Sequence, residues 1–145
     1  MKTINVILFD DFTSLDALGP AEVFSRLDKL FTLKYYSMNG GKKASTINTS
    51  IETDKIENIT EHNILLIPGG FGTRKLVDNN EFINKLKELA IKAENVLCIC
   101  TGSALLAKTG LLNNKIATSN KMSWDWVIKQ NENVSWKKKC KMVCR

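Results

Sequence analysis

The stretch at residues 95–110 constrains the fold of this chain more than any other. An apolar run at residues 96–99 leads to Cys100, and a helix-compatible run that Gly110 can end follows at once. This pattern predicts a strand, a sharp turn and a helix, with the side chain of Cys100 raised above the sheet at the corner. Gly102 suits the crowding of such a corner because it has no Cβ.

The corner also predicts a reactive thiol. The partial positive charge at the N-terminus of the following helix favours a thiolate, so we expect the pKa of Cys100 to fall below its ordinary value of about 8.5. A lone cysteine at the end of a strand is more often a packing residue. Two further corners, at residues 15–24 and 65–72, carry polar or glycine residues and favour a shared site instead.

The composition is that of an ordinary globular protein and excludes several other classes. The chain has 145 residues, of which 43% are hydrophobic and 25% charged, as in an ordinary single-domain globular protein. The N-terminal apolar run is too short for a signal peptide or a membrane span, so we expect a cytoplasmic protein with no membrane partner. The four cysteines form no Cys-x-x-Cys pair, which disfavours a metal site.

The positive charge is concentrated at the end of the chain. Of the net charge of +6, five positive charges come from residues 137–145, where neither a helical nor a strand period is visible. We therefore expect a domain over residues 1–136 and a basic tail without regular structure over residues 137–145. The body is nearly neutral and the chain has only three arginines, so no nucleic-acid partner is predicted.

Apolar runs alternate with helical patterns along the chain. This alternation predicts βαβ crossovers and an α/β fold, a three-layer sandwich around a mostly parallel sheet. Strands or extended segments are predicted at residues 4–9, 33–38, 44–51, 64–67, 96–99 and 115–118. Helices are expected from residue 13 or 14 with Pro20 near the start, over residues 81–93, after Cys100, and after Ser119 or Asn120. The apolar positions expected to define helix faces are Val23, Phe24, Leu27 and Leu30 in the first helix, Phe82, Leu86, Leu89 and Ala93 in the second, and Met122 and Trp126 with Lys129 in the last.

The three corners are predicted to meet at one edge of the sheet. In an open parallel sheet, ligands bind outside the carboxyl ends of the strands, where Asp16, Gly69, Gly70 and Cys100 all fall. The glycine N–H groups, with that of Thr101, could form an oxyanion hole. A flexible loop at residues 69–72 stays an alternative, whereas a phosphate-binding loop is excluded because neither glycine-rich spacing is met.

A Cys-His-Asp triad is not predicted. The only histidine, His62, precedes the strand at residues 64–67 and so belongs to the opposite edge of the sheet. The expected partner of Cys100 is therefore Asp16. Two full charges about 4 Å apart repel by roughly 4 kcal/mol at an effective dielectric near 20, so the two groups should titrate as a coupled pair, with a thiolate beside a protonated carboxyl.

The motifs at these corners resemble those of the ThiJ/PfpI superfamily, which has a class I glutamine-amidotransferase-like fold. They are LDxxGPxEVF at residues 15–24, LIPGG at 66–70, CTGS at 100–103, GLL at 110–112 and AT at 117–118. The resemblance runs from the first strand to about Trp136. It is strongest to the branch that contains isonitrile hydratases and the sensor domains of AraC-type regulators.

The resemblance implies a cysteine-dependent hydratase or hydrolase. Cys100 would be the nucleophile, Asp16 the acid/base partner and Thr101 a further polar group, with Gly69, Gly70 and Gly102 lining the oxyanion and substrate site. In the hydratase version, sulfur adds to the terminal isonitrile carbon, and water releases an N-substituted formamide from the resulting thioimidate. This implies a small-molecule substrate, no metal or organic cofactor, and a possible homodimer.

Two departures from the family pattern keep alternatives open. Many members of the superfamily carry a histidine after the Ala-Thr pair, where this chain has Asn120. They also continue with further strands and a helix where this chain has its basic tail, as if it were truncated. The alternatives are a ligand- or redox-sensing protein of the same fold, and a protease-, amidase- or glyoxalase-like enzyme.

Overall fold

A six-stranded, mostly parallel sheet lies at the centre of the computed structural model, which describes residues 1–144. Its strands are β1 (Lys2–Ile7), β2 (Phe31–Ser37), β3 (Gly41–Ala44), β4 (Ser50–Lys55), β5 (Ile64–Ile67) and β6 (Asn95–Cys98). They are arranged in the order β3-β4-β2-β1-β5-β6, and only β3 runs antiparallel to its neighbour. The predicted α/β fold around a mostly parallel sheet is confirmed.

Within residues 1–144, five α-helices, a single 3-10 turn (Ile56–Asn58) and a small second sheet complete the fold. The helices are α1 (Ser14–Ser25), α2 (Thr73–Leu76), α3 (Asn80–Lys92), α4 (Gly102–Lys108) and α5 (Trp124–Ile128). β7 (Ile116–Ala117) and β8 (Ser135–Trp136) form a two-stranded parallel sheet. None of the helices described in residues 1–144 combines the length and apolar character needed to cross a membrane.

The core is built on the two central strands. Ile4 and Val6 of β1 and Leu66 of β5 are completely buried, as expected for continuous apolar runs in the middle of a parallel sheet. Among the helices, α3 buries the predicted apolar face, and the Asn79 side chain caps it by accepting a hydrogen bond from the Phe82 N–H. The core therefore holds the carboxyl ends of β1 and β5 in fixed positions beside the site.

The predicted inner face of the first helix is only partly confirmed, because Phe24 packs against the core but the other predicted positions are exposed. Val23 is 65% exposed and Leu30 56% exposed, whereas Ala17 and Ala21 are buried. Small side chains let α1 approach the sheet closely, and hydrophobic periodicity does not detect them. Pro20 lies in the middle of the helix rather than near its start, so the carbonyl of Asp16 has no i+4 N–H partner.

Three other elements differ from their predictions. The extended segment expected over residues 44–51 is broken between β3 and β4 by a turn in which Asn48 has a φ of 60°. In the last helix, Met122 is 98% exposed and Trp124 and Val127 are buried in its place. The short helix α2 forms in a segment that the sequence pattern leaves as a loop, because its single turn is too short for a period.

Part of the predicted basic tail contacts the body. The Lys137 N–H donates to the Ala117 carbonyl at 2.8 Å, and the Thr118 hydroxyl lies 2.7 Å from the Lys137 carbonyl and 3.1 Å from that of Cys140. Arg145, the last residue of that tail, lies outside the described residues. The boundary after Trp136 stays a prediction.

Candidate functional site

Cys100 occupies the corner between β6 and α4, a sharp strand-to-helix turn that we call the elbow. Its φ is 54°, a left-handed conformation that costs a non-glycine residue roughly 1–2 kcal/mol. Hydrogen bonds to its carbonyl help to hold this geometry, since the Ser119 hydroxyl donates to it at 2.9 Å and the Ser103 N–H at 3.3 Å. The corner aims the thiol away from the strand, as the sequence pattern predicts.

Gly102 allows the corner to pack against β5. A Cβ at this position would lie 2.4 Å from the Ile67 carbonyl oxygen and 2.8 Å from that of Pro68. Both distances are far below a van der Waals contact, so no larger residue fits without moving backbone. The Gly102 N–H donates to the Ile99 carbonyl at 2.9 Å.

Asp16 reaches the thiol from the first turn of α1. Its Oδ2 accepts a hydrogen bond from the Gly69 N–H at 3.0 Å, and its carboxyl lies close enough to the Cys100 thiol for each group to shift the pKa of the other. A Cβ on Gly69 would lie 2.9 Å from Asp16 Oδ2 and 2.7 Å from the Thr101 nitrogen. Because residue 69 has no side chain, the Asp16 carboxyl and the backbone of Thr101 can both pack closely against it.

Thr101 joins the elbow to the loop after β5. Its buried hydroxyl accepts the Gly70 N–H at 3.0 Å and the Thr73 hydroxyl at 3.2 Å. Gly70 has a φ of 135°, a conformation that side chains rarely adopt. The structure thus brings together all the sequence-predicted site residues, Asp16, Gly69, Gly70, Cys100, Thr101 and Gly102.

The expected role of the glycines as oxyanion donors does not fit the observed hydrogen bonds. The N–H of Gly69 is bound by Asp16, that of Gly70 by Thr101, and that of Gly102 by Ile99. Each donor already has an internal partner in this conformation. The three glycines instead provide the space and backbone shape that let the carboxyl, the hydroxyl and the thiol converge.

Asn120 supplies a donor to the sulfur. Its Nδ2 lies 2.9 Å from Cys100 Sγ, while its Oδ1 accepts the backbone N–H groups of Met122 at 2.7 Å and Ser123 at 3.1 Å. Because two N–H donors fix the oxygen end, the NH₂ end must point at sulfur. Sequence reasoning noted Asn120 only as a departure from histidine and a helix cap; its place after the Ala-Thr pair was the available signal.

Burial has the largest effect on the pKa values of Cys100 and Asp16. Burial raises the pKa of Cys100 and the charge of Asp16 adds to the rise, against the lowering effects of hydrogen bonds from Asn120 and Thr101. Burial also raises the pKa of Asp16. The predicted lowering of the Cys100 pKa is therefore wrong, because desolvation outweighs the hydrogen bonds that favour the thiolate.

Arg74 contacts residues next to the site, and the sequence pattern does not single it out. Its Nη2 donates to the Ser123 hydroxyl at 2.8 Å, its Nη1 donates to the Thr73 hydroxyl at 3.1 Å, and its guanidinium lies 4.1 Å from the centre of the Trp126 ring. It thereby ties α2 to the segment that holds Asn120. A single arginine in a short helix gives no periodic signal in the sequence.

His62 lies away from these groups. It precedes β5, and its carbonyl accepts the Glu94 N–H at 2.9 Å at the amino-terminal edge of the sheet, whereas Cys100 follows the carboxyl end of β6. Within residues 1–144, no three His, Cys, Asp or Glu side chains form a group that could hold a metal ion.

Comparisons with known proteins agree with this architecture. The model of the DJ-1/PfpI family matches residues 2–144. An uncharacterized protein in the cpoL 5′ region of Streptomyces lividans is 31% identical over 119 residues, which cover 79% of this chain and 84% of that protein. Isonitrile hydratase from Pseudomonas putida is 27% identical over 117 residues, which cover 81% of this chain and 51% of the hydratase.

A solved structure extends the similarity to the whole fold. The crystal structure of a ThiJ/PfpI family protein from Pseudomonas syringae superposes with a TM-score of 0.87 at 20% identity, over 99% of this chain and 59% of that one. The chain therefore spans about half the length of the hydratase and about three fifths of that of the P. syringae protein.

Proposed function

The chain belongs to the DJ-1/PfpI family, and on that premise we propose that it is a cysteine-dependent hydratase of small electrophilic substrates, of the isonitrile hydratase type. The observation that carries the proposal is the placement of the Cys100 thiol beside two groups of different chemistry, the Asn120 amide 2.9 Å from the sulfur and the Asp16 carboxyl, whose charge raises the pKa of the thiol. One partner exchanges a proton and the other only donates a hydrogen bond. That division suits a nucleophile that must lose and recover its proton within each turnover.

The first step joins sulfur to the substrate. The Cys100 sulfur attacks the terminal carbon of R–N≡C as its proton passes to Asp16, and Asp16 returns this proton to the same carbon. The product is a thioimidate, R–N=CH–S–Cys100, in which the new bonds are S–C and C–H and the broken bond is S–H. The raised pKa of Asp16, caused by its burial, makes it a better proton acceptor than an exposed carboxylate.

The second step uses water. Water adds to the thioimidate carbon, and the nitrogen gains a proton. The C–S bond then breaks, sulfur recovers its proton, and an N-substituted formamide, R–NH–CHO, leaves. The overall change is the addition of one water molecule, so neither oxidant nor reductant takes part. Asn120 would donate to sulfur as negative charge develops on it, in the attack and again when the C–S bond breaks.

The titration of the site argues against the redox-sensing alternative. Oxidation-sensing cysteines have low pKa values and are exposed as thiolates. Burial raises the pKa of Cys100, which is the opposite of what such a sensor needs. Similarity to isonitrile hydratase supports the choice of substrate class over protease-like or glyoxalase-like chemistry.

A substrate screen tests the proposal. The full chain and Cys100→Ala are incubated with cyclohexyl isocyanide, methylglyoxal and a peptide amide, and the products are quantified by mass spectrometry. We expect N-cyclohexylformamide from the wild type alone. Lactate or a free acid as the only product would replace the hydratase by one of the alternative enzymes, and no product from any substrate would overturn the enzymatic proposal.

A further inference from the structure

Arg74 carries a positive charge that pairs with no carboxylate in residues 1–144. Its guanidinium lies 4.1 Å from the centre of the Trp126 ring and 5.8 Å from that of Phe71, and aromatic rings attract a cation placed over their faces. By contrast, Arg26 forms an exposed ion pair with Glu22 at 2.5 Å. Arg74 is therefore held by aromatic side chains, and its N–H groups donate to neutral oxygens.

One series of hydrogen bonds leads from Arg74 to the Cys100 sulfur. Arg74 Nη2 donates to the Ser123 hydroxyl at 2.8 Å, and the Ser123 backbone N–H donates to Asn120 Oδ1 at 3.1 Å. The other end of the same amide, Asn120 Nδ2, lies 2.9 Å from Cys100 Sγ. Because Ser123 receives a hydrogen bond from Arg74 and gives one to Asn120, the position of Arg74 bears on the direction in which the amide points.

A second series leads from Arg74 to the residue after Cys100. Arg74 Nη1 donates to the Thr73 hydroxyl at 3.1 Å, and this hydroxyl lies 3.2 Å from that of Thr101. Both threonines are buried, with exposed fractions of 0% and 2%. The guanidinium is a planar fork, so one group reaches two hydroxyls on two different elements at once. Arg74 thus connects the two sides of the elbow.

The segment that carries Asn120 needs such a contact because it has no regular structure. Residues 118–123 belong to no helix or strand, so no ladder of backbone hydrogen bonds fixes them. Near the start of the segment, the Ser119 hydroxyl donates to the Cys100 carbonyl at 2.9 Å. At its end, the hydrogen bond from Arg74 joins Ser123 to α2. Asn120 lies between these two attachments.

We propose that Arg74 is a positioning residue, which acts through Ser123 to keep the Asn120 amide directed at the Cys100 sulfur. It acts by geometry and not by its charge, since the side-chain charge that acts on the thiol is that of Asp16 in α1. The inference does not rest on the proposed reaction, because it concerns the thiol itself and can be measured without an isonitrile.

The test measures alkylation of Cys100 by iodoacetamide as a function of pH in the full chain, with peptide mapping. We expect Arg74→Ala to slow labelling at pH 7 by about two- to tenfold, the worth of one hydrogen bond, and to shift the pH profile upward. Arg74→Lys keeps the charge but lacks the fork, so it should be slowed as well. Ser123→Ala removes only the receiving hydroxyl and should give the same shift, which also covers a failure of Arg74→Ala to fold. Arg26→Ala removes an equal charge at the end of α1 and should match the wild type.

A double-mutant cycle separates positioning from a general loosening of the fold. If Arg74 acts through Asn120, then Arg74→Ala should have no further effect on the pH profile of Cys100 once Asn120 has been changed to Ala. A loosened fold would change labelling equally in both backgrounds. Equal effects in both backgrounds, wild-type labelling in Arg74→Lys, or unchanged pH profiles in Arg74→Ala and Ser123→Ala would each overturn the proposal.

Discussion

Replacing Asn120 by Ala removes the donor to the Cys100 sulfur while leaving the elbow in place. A hydrogen bond to a charged group contributes about 1.5–3 kcal/mol. Because Cys100 is only partly buried, we take the lower end, which corresponds to about a tenfold change since 1.4 kcal/mol is a factor of ten. The loss disfavours the thiolate, so the pKa of Cys100 rises further and the rate of alkylation at pH 7 should fall by about tenfold.

Iodoacetamide labelling followed by peptide mapping measures this rate across pH 6–10 for each cysteine separately. The thiolate of Cys100 should appear at higher pH in Asn120→Ala, while the labelling of Cys140, which lies outside this contact, serves as the internal control. Asn120→Asp places a negative charge beside sulfur and should slow labelling more than Asn120→Ala does. An unchanged pH profile for Cys100 in both variants would refute the role given to Asn120.

Burial raises the pKa of Cys98 to about 12, so Cys98 should label more slowly than Cys100 at neutral pH. The folded state thus holds this proton more firmly than the unfolded chain, and the free energy of unfolding should decline as pH rises from 9 towards 12, less so in Cys98→Ala; identical slopes would contradict the burial. Gly102→Ala should lower the melting temperature markedly, because its Cβ would meet the Ile67 carbonyl oxygen at 2.4 Å, and an unchanged melting temperature would show that the corner can relax. Sedimentation equilibrium tests the homodimer implied by the family, which a purely monomeric chain at 100 μM would exclude at that concentration.

The sequence predicts the sheet and the elbow well because both depend on local signals. Buried parallel strands are continuous apolar runs, and β5 matches its predicted bounds at residues 64–67. The Cys100 corner is visible because a strand pattern changes to a helix pattern at one residue, with Gly102 close behind. Asp16 is placed by the rule that ligands gather at the carboxyl ends of the strands, and its position near Cys100 follows from that topology.

What the sequence does not predict depends on tertiary contacts. The inner face of α1 is made by Ala17 and Ala21, whose small side chains carry no periodic hydrophobic signal. The pKa of Cys100 reflects the balance of burial against hydrogen bonds, which no spacing reveals. Asn120 acts on sulfur only because Met122 and Ser123 fix its amide, a contact set by a turn rather than by a motif.

The most direct test of the central claim, that Cys100 attacks and Asp16 carries the proton, is the rate of formamide formation by the wild type and three variants. Cys100→Ala should abolish the product because no covalent intermediate can form. Asp16→Asn keeps the shape but cannot exchange a proton, so kcat/KM should fall on the order of 100- to 10,000-fold. His62→Ala should match the wild type, since His62 lies at the other edge of the sheet. Formamide production that survives Cys100→Ala, or that His62→Ala reduces as severely, would contradict the account.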